Sequence, residues 1–346
     1  MRIDRKVAQI LEAVQEGRAP SQEACATLLA FPETTLESAL VRAAGNDVTR
    51  RRLGSGGHLF GQIGIEFSPC PGECRFCSFA AASTQFGTSV MSDEEVLRNV
   101  ESFTAAGELE ALFFMTMHPF DLHHLLHVIE LARGRVPSGT QIVVNLGDFD
   151  AAQARELKGA GVDGAYHVLR LREGSDTALD PGRRMETIQA AQRAGLDWWY
   201  CCEPIGPEHS PGELAEQIFF GVNHGCVAHA AMRRVYLPSS PLAARGQVSE
   251  LRLAQVTAVV ALATMHSPAV KLIAVHEPNV LGLSSGANAL FAEAGANPRD
   301  TEENTTGHRG RDILACKKML YEAGFDTIHI PAGKTVALAD AYLASV

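Results

Sequence analysis

Eight short apolar runs that alternate with helical segments are the feature that most limits the fold of this chain. The apolar runs are 62–67, 111–116, 141–146, 164–169, 197–202, 231–237, 270–275 and 287–291. Helical spacing of apolar residues fills 92–106, 121–133, 150–159, 183–194, 211–223, 248–264 and 309–323. This alternation is typical of a parallel sheet, and eight such units close most naturally into a barrel. The sequence therefore predicts an α/β fold, a (β/α)8 TIM-type barrel, with an open doubly wound sheet as the competing architecture.

The 346 residues accommodate such a barrel with additions at both ends. We predict an N-terminal helical extension over 1–57, the barrel over 58–330, and a C-terminal tail over 331–346 without assigned structure. No apolar run reaches the roughly 18 residues that a membrane span requires, and the first residues have no secretory signal pattern. We therefore expect a cytoplasmic protein that has no transmembrane segment.

Charge and cysteine content exclude two further classes of function. The net charge of -10 argues against a nucleic-acid surface, which needs a clustered positive field. The eight cysteines are too few for a disulfide scaffold in a chain of this length. Clustered thiols in a reducing compartment more often indicate metal or redox chemistry.

Three of these cysteines lie close together just after the first apolar run. Cys70, Cys74 and Cys77 have C-x3-C-x2-C spacing, in a loop whose prolines and Gly72 prevent a strand or a helix. A [4Fe-4S] cluster held by three cysteines leaves one iron open for another ligand. A structural zinc site normally has four protein ligands, and no second cysteine pair of suitable spacing follows. The spacing therefore favours a [4Fe-4S] cluster.

The motif resembles the signature of the radical S-adenosylmethionine superfamily, since Phe76 stands just before the last cysteine. The resemblance implies that S-adenosyl-L-methionine chelates the open iron through its amino and carboxylate groups. It further implies that the reduced cluster cleaves this cofactor to a 5'-deoxyadenosyl radical, which abstracts hydrogen from a substrate. The position of the motif after the first strand agrees with the family's barrel.

From about 60 to 328 the chain is similar to the subgroup that contains biotin synthase, the hydrogenase maturase and methylornithine synthase. The segments that carry this similarity are 161–195, 236–242 and 285–291. The resemblance implies that Phe76 lies against the adenine, Glu173 contacts the nucleotide and Arg184 binds the methionine carboxylate. At 115–119 the chain reads Met-Thr-Met-His-Pro, where many radical enzymes have a Gly-Gly-Glu contact to the amino group.

Further departures concern sulfur chemistry. Biotin synthase holds an auxiliary cluster with additional strand cysteines and an arginine, whereas the strand 141–146 has no cysteine and 275–277 reads Val-His-Glu. Cys201 and Cys202 are adjacent on a later strand, so their side chains face opposite sides. Sulfur insertion with an auxiliary cluster is therefore an alternative to a rearrangement or C-C/C-X bond reaction in biosynthesis or cofactor assembly. A non-enzymatic iron-sulfur scaffold is the other alternative.

Polar residues at the carboxyl ends of the predicted strands are the candidate substrate contacts, because barrel active sites lie there. They are His118, Asn145, His167, Glu203, Arg234, Tyr236, His276 and Glu277. These residue types indicate a small polar substrate, and no catalytic residue is assigned among them. The polar loop 301–311 is either an exposed connection or a further substrate contact. The resemblance also implies an electron donor such as flavodoxin or ferredoxin.

Overall fold

The computed structural model describes residues 3–299 and 312–339. Three helices come first: α1 (Arg5–Gln15), α2 (Gln22–Leu29) and α3 (Leu36–Leu53). Each begins at a side chain that accepts hydrogen bonds from the first backbone amides, namely Asp4, Ser21 and Thr35. Helix α2 packs on the helix Pro211–Asn223 and α3 on the helix Glu250–Ala263, so this predicted helical region covers one side of the barrel.

Eight parallel strands follow. They are β1 (Gly56–Gly64), β2 (Ala111–Met115), β3 (Gln141–Asn145), β4 (Gly164–Tyr166), β5 (Asp197–Ile205), β6 (Ala228–Arg233), β7 (Leu272–His276) and β8 (Ala289–Gly295). Each pairs with the next, and β1 pairs with β8 from His58↔Ala289 to Gly64↔Gly295. The sheet is therefore closed, which confirms the predicted (β/α)8 barrel and excludes the open doubly wound sheet.

The helices lie between and around these strands. They are α4 (Asp93–Thr104), α5 (Leu122–Arg133), α6 (Ala151–Gly159), α7 (Pro181–Arg193), α8 (Pro211–Asn223), α9 (Glu250–Ala263), α10 (Val280–Leu283) and α11 (Ile313–Glu322). The last of them was predicted from 309, but 309–311 lie outside the described residues. None of the described helices combines the length and the hydropathy that crossing a membrane requires.

Strand β1 begins at Gly56, although the sequence predicts a strand only from 62. A Cβ atom on Gly56 would lie 2.3 Å from the His329 ring, and one on Gly57 would lie 2.6 Å from Leu320. These glycines therefore allow other side chains to pack closely against a strand. The sequence pattern, by contrast, indicates a loop at this position. After α11, β9 (Thr327–Ile330) pairs with β1 and forms an antiparallel hairpin with β10 (Lys334–Ala337). The tail thus has a strand that the sequence did not predict.

Four aromatic rings fill the amino-terminal half of the barrel interior. Phe60, Phe113, Trp199 and Phe291 come from four different strands, and their ring centroids are 4.9–6.0 Å apart. All four side chains are almost completely buried. This apolar floor closes one end of the barrel, so a ligand enters from the carboxyl ends of the strands.

Candidate active site

A cavity opens above this floor, at the carboxyl ends of the strands. Its empty volume, with the open mouth included, is about 900 Å³. Cys70, Cys74 and Cys77 line one side of it, together with Phe79. Side chains from the ends of the barrel strands and from the segments that follow them, such as Arg184 and Arg299, also line it. The three predicted cysteines therefore share one cavity with the inner face of the barrel.

Backbone amides of the cysteine loop point at the sulfur atoms. The amide of Gly72 donates to Cys70 Sγ at 3.4 Å, and that of Phe79 donates to Cys77 Sγ at 3.3 Å. Hydrogen bonds of this kind stabilise thiolates and tune the potentials of iron-sulfur clusters. The loop therefore supplies hydrogen-bond donors of the kind that stabilise cluster-ligating thiolates.

Two neighbouring loops hold the cysteine loop in place. The backbone amide of Arg75 donates to the carbonyl of Asp176 at 2.9 Å, and the two side chains form an ion pair. On the other side, the Ser240 hydroxyl donates to the Arg75 carbonyl at 2.5 Å. Asp176 lies in the segment 161–195 and Ser240 in the segment 236–242. Both segments therefore hold the cysteine loop in position through long-range contacts.

The thiols fit a cluster better than a single ion. No three His, Cys, Asp or Glu side chains of 3–299 and 312–339 converge on one metal ion. The cysteines of a four-iron cluster bind different irons, so their sulfur atoms are spaced apart. Burial raises the pKa of the Cys74 thiol to about 11 and also raises that of Cys77. Iron binding therefore releases protons from these thiols.

A buried group of charged residues lies beside the cysteines and includes both predicted nucleotide contacts. Arg184 donates from Nη1 to Asp148 at 3.0 Å and from Nε and Nη2 to the Val168 carbonyl. Glu173 accepts from the Thr177 hydroxyl at 2.7 Å and lies 3.6 Å from Arg184 Nε. Arg184 lines the cavity, whereas Glu173 is buried behind it.

Arg170 completes this charged group, although the sequence did not single it out as a site residue. Its Nε lies 3.2 Å from Glu203, and its Nη1 lies 3.7 Å from Glu173. Burial lowers the pKa of the Arg170 guanidinium, but the two carboxylates more than offset this and raise it. Arg170 is therefore a permanent cation that lines the cavity between two anions.

Four of the eight predicted substrate contacts line the cavity: His118, Asn145, Glu203 and His276. Tyr166 donates a short hydrogen bond to Glu203, and the His276 ring stacks on Phe291 at 4.6 Å. Burial lowers the pKa of His118, which keeps its imidazole neutral near pH 7. The structure thus brings these residues together around one space, as the strand-end argument predicts.

The other four predicted contacts do not line the cavity. His167 is buried against Asp148, and burial together with the charge of Arg184 lowers its pKa to about 3. Arg234 pairs with Glu208, and Tyr236 is 53% exposed. The fourth, Glu277, contacts Arg299 at 2.8 Å, and this arginine lines the cavity. The loop 301–311 lies outside the described residues.

Phe76 and the vicinal cysteines are also outside the cavity lining. Phe76 is half-buried, and the aromatic residue that faces the cavity is Phe79. Cys201 and Cys202 are both completely buried free thiols. Cys201 Sγ donates to the carbonyl of Cys202 at 3.7 Å. Cys202, the next strand residue, points to the opposite face, so the two thiols do not converge.

Several cavity residues were missed from the sequence: Gln62, Glu66, Tyr166, Arg170 and Arg299. Gln62 and Tyr166 lie on strands, and the two-residue alternation of their inward faces could have identified them. Glu66 follows β1 and precedes the cysteine loop. Arg299 follows β8 in a loop, and no local pattern marks it.

Comparison with known proteins agrees with this geometry. The family model described as the Radical SAM superfamily matches residues 68–201, which include the cysteine loop. The biotin synthase of Magnetococcus marinus is 27% identical over 339 residues, which are 91% of this chain and 97% of that protein. The biotin synthase of Bordetella avium is 27% identical over 277 residues, 76% of this chain and 83% of its own length.

Solved structures share the fold. Methylornithine synthase superposes with a TM-score of 0.77 at 16% identity, over 91% of this chain and 96% of its own. The FeFe-hydrogenase maturase HydG from Carboxydothermus hydrogenoformans gives a TM-score of 0.76 at 16% identity, over 94% and 79%. Residues 68–201 therefore carry the domain of the radical S-adenosylmethionine superfamily, whose enzymes use a [4Fe-4S] cluster and S-adenosylmethionine, and the chain is similar to biotin synthases and shares its fold with methylornithine synthase and HydG.

Proposed function

We propose that this radical S-adenosylmethionine enzyme acts on a small polar substrate without inserting sulfur, in a rearrangement or C-C/C-X bond reaction. One observation carries the proposal: the three cysteines line one cavity together with the neutral polar side chains of Gln62, His118 and Asn145. The cluster and S-adenosylmethionine, when bound, supply reductive cleavage of the sulfonium and abstraction of a hydrogen atom. The residues of this chain determine which molecule is presented to that chemistry.

The walls of the cavity protect reactive species. Phe79, Met115, Met117 and Met232 line it with apolar surface, and the aromatic floor closes the barrel below. A carbon radical is quenched by stray C–H and S–H donors, so molecules other than the substrate must be kept away from it. The closed barrel and these apolar side chains perform that role.

Three neutral polar groups are available to a substrate. Gln62 and Asn145 line the cavity with side-chain amides that make no hydrogen bond to another described residue. His118 also lines it, and its Nδ1 is buried without a hydrogen-bond partner among the described residues. Amides both donate and accept, and so does a neutral imidazole. These groups support recognition of a polar molecule by hydrogen bonds.

The barrel interior argues against an auxiliary cluster. Met115, Asn145 and His276 line the cavity at the ends of β2, β3 and β7, and none of them is a cysteine. Cys201 is the one cysteine of the described barrel strands that faces inward. A second cluster would need several sulfur ligands. The non-enzymatic scaffold is not retained, since residues 68–201 carry the domain of an enzyme superfamily.

Sulfur insertion remains the second candidate because the curated relatives are biotin synthases. Iron content separates the two functions after anaerobic reconstitution with iron and sulfide. One cluster gives about four irons per chain, whereas a second cluster raises the content to about six to eight. We expect about four, and the same value in a Cys201→Ala variant.

The proposed function is tested by reducing the reconstituted enzyme with S-adenosylmethionine and measuring 5'-deoxyadenosine by chromatography. We expect turnover with dithionite and with a flavodoxin or ferredoxin, the donors proposed for a cytoplasmic enzyme of this family. The control is Cys74→Ala, which should form no product. A chain that binds no cluster with all three cysteines intact would contradict the proposal.

A further inference from the structure

The outer side of the cysteine loop carries exposed side chains that the proposed function does not use. Arg75 follows Cys74 directly in the chain, is exposed and does not line the cavity. Its carbonyl accepts hydrogen bonds from the Ser240 hydroxyl at 2.5 Å and from the Leu242 amide at 3.3 Å. The loop 236–247 therefore packs against the residue next to a predicted cluster ligand.

The loop 236–247 has the residue types of a protein interface. It contains no acidic residue, and Tyr236, Arg245 and Gln247 are exposed. Gln247 Oε1 accepts from the Tyr236 amide at 2.8 Å, so the two ends of the loop are held together. Tyrosine and arginine are enriched among the residues that contribute most to protein binding. Tyr236 and Arg245, together with Arg75, form what we call the arginine patch.

Side-chain contacts also connect Arg245 to Arg75. Arg245 lies 3.5 Å from Glu208, and the carbonyl of Glu208 accepts from Arg172 Nη2 at 3.1 Å. Arg172 begins a turn that reaches Asp176, whose amide donates to the Arg172 carbonyl at 2.9 Å. Asp176 in turn pairs with Arg75 at 3.3 Å. The two exposed arginines therefore belong to one connected surface beside the cysteine loop.

The arginines of this patch are more exposed than the carboxylates that pair with them. The side chain of Arg75 is 44% exposed and that of its partner Asp176 is 8% exposed. The corresponding values are 41% for Arg245 and 15% for Glu208. Glu208 also pairs with the buried Arg234, so two guanidinium groups share one carboxylate. The charge that this patch presents to solvent is therefore positive.

The other charged residues nearby do not reverse this sign. Arg172 and Glu213 pair at 2.8 Å and are similarly exposed, so their charges cancel. Glu73, the only acidic residue of 68–77, is half-buried, and both its carboxylate oxygens accept from the Ala82 amide. The chain as a whole has a net charge of -10. A positive surface on an acidic protein guides an acidic partner to the one region that does not repel it.

We propose that the arginine patch is the docking surface of a small acidic protein that carries an electron to the cluster. The inference rests on the proposed function, since it names the surface through which a reductant reaches the same site. The carrier is oxidised by one electron, the cluster accepts that electron, and no group is transferred. Electron-transfer complexes bury little surface, so a few exposed side chains next to Cys74 are sufficient.

Arg245→Glu is the main variant, because it reverses one charge of the patch away from the cavity. Arg234 keeps Glu208 paired when Arg245 is replaced. Arg75 is left unchanged, since its replacement would leave the buried Asp176 without a cation beside the cysteines. A second variant, Tyr236→Ala, removes the exposed ring and leaves all charges in place.

Arg98→Glu is the matched control. Arg98 is also an exposed arginine beside one carboxylate, since it lies 3.7 Å from Glu94. It lies on α4, which connects β1 to β2, whereas the loop 236–247 follows β6. Both charge reversals change the net charge of the protein by the same amount, so they differ only in position.

The first measurement is binding of dye-labelled flavodoxin, an acidic carrier, to the reconstituted enzyme by fluorescence anisotropy at low salt. Arg245→Glu should raise the Kd about 10-fold, the size expected for reversing one charge near a partner carboxylate in water. Tyr236→Ala should raise it at least about 5-fold, and Arg98→Glu should leave it unchanged. Added salt should weaken binding to the wild type more than binding to Arg245→Glu.

The second measurement is 5'-deoxyadenosine formation, driven either by photoreduced flavodoxin or by dithionite. Arg245→Glu should raise the KM for flavodoxin about 10-fold and keep the kcat at saturating carrier. The rate with dithionite should equal that of the wild type, because a small reductant needs no docking surface.

The outcomes separate this inference from the proposed function. The inference is wrong if Arg245→Glu and Arg98→Glu affect flavodoxin binding equally, or if neither flavodoxin nor ferredoxin binds the wild type. A wild type that binds flavodoxin through Arg245 but forms no 5'-deoxyadenosine with dithionite overturns the proposed function alone.

Discussion

A single methyl group at Gly147 tests the arrangement of the strand ends most directly. A Cβ atom on Gly147 would lie 1.9 Å from the carbonyl oxygen of His118, far inside the 3.4 Å at which ordinary contact begins. The obstacle is backbone, so no rotamer change relieves it. Overpacking of this kind costs about 1–3 kcal/mol, and we expect Gly147→Ala to destabilise the protein by about 3 kcal/mol.

Thermal unfolding of the reconstituted protein measures this effect. With an unfolding entropy near 2 cal/mol/K per residue, a loss of about 3 kcal/mol lowers the Tm of a chain this long by roughly 4 °C. Gly159→Ala is the control, since a Cβ there meets nothing within 4 Å at the end of α6. Alanine should raise the Tm by about 1 °C there. Equal Tm values for Gly147→Ala and the wild type would refute the close approach of Gly147 to His118.

Three further predictions concern the charged group, the cysteines and acid stability. Arg170→Met leaves the buried Glu203 without its cation and should cost about 3–5 kcal/mol in urea unfolding, with partial recovery in Arg170→Met/Glu203→Gln. Cys74→Ser should lose the visible absorbance of the cluster after reconstitution, whereas Cys202→Ala, whose thiol lies outside the cavity, should retain it. Burial lowers the pKa of His229 to about 4, so the unfolded chain binds an extra proton between pH 6.5 and 4. Stability should therefore fall as the pH is lowered through this window, with a smaller slope in His229→Gln.

Local patterns explain why most of the fold could be predicted. The eight apolar runs have strand length and the segments between them have helical spacing, so element type and order follow from the sequence alone. Strand ends were less predictable, as β1 shows. Gly56 and Gly57 are in a strand because His329 and Leu320 pack against them, and both come from the far end of the chain.

The candidate site likewise has one part that local sequence predicts and another part that only the folded barrel creates. The cysteine spacing is local, so the cluster ligands could be predicted without the fold. Arg170 and Glu66 become site residues only because the barrel closes, which places distant segments around one cavity. Arg234 is the opposite case, since a charged residue at a strand end pairs with Glu208 away from that cavity. A position at a strand end is therefore not sufficient for a role in the site, and Arg299, which lines the cavity from a loop, shows that it is not required either.

The pairing of the cavity arginines with protein carboxylates affects how the enzyme distinguishes between substrates. The cavity arginines are neutralised by protein carboxylates, so discrimination between uncharged parts of substrates depends on neutral groups such as Asn145, Gln62 and His118. A site built to hydrogen-bond a substrate rejects an analogue that lacks the matching group by about 10⁴–10⁵-fold, because its own polar groups are then left unsatisfied. Amides accept and donate equally well, so their identity alone does not specify the partner. Selectivity in this enzyme therefore depends on where these side chains are held, and Gly147, two residues after Asn145, lies against the His118 backbone.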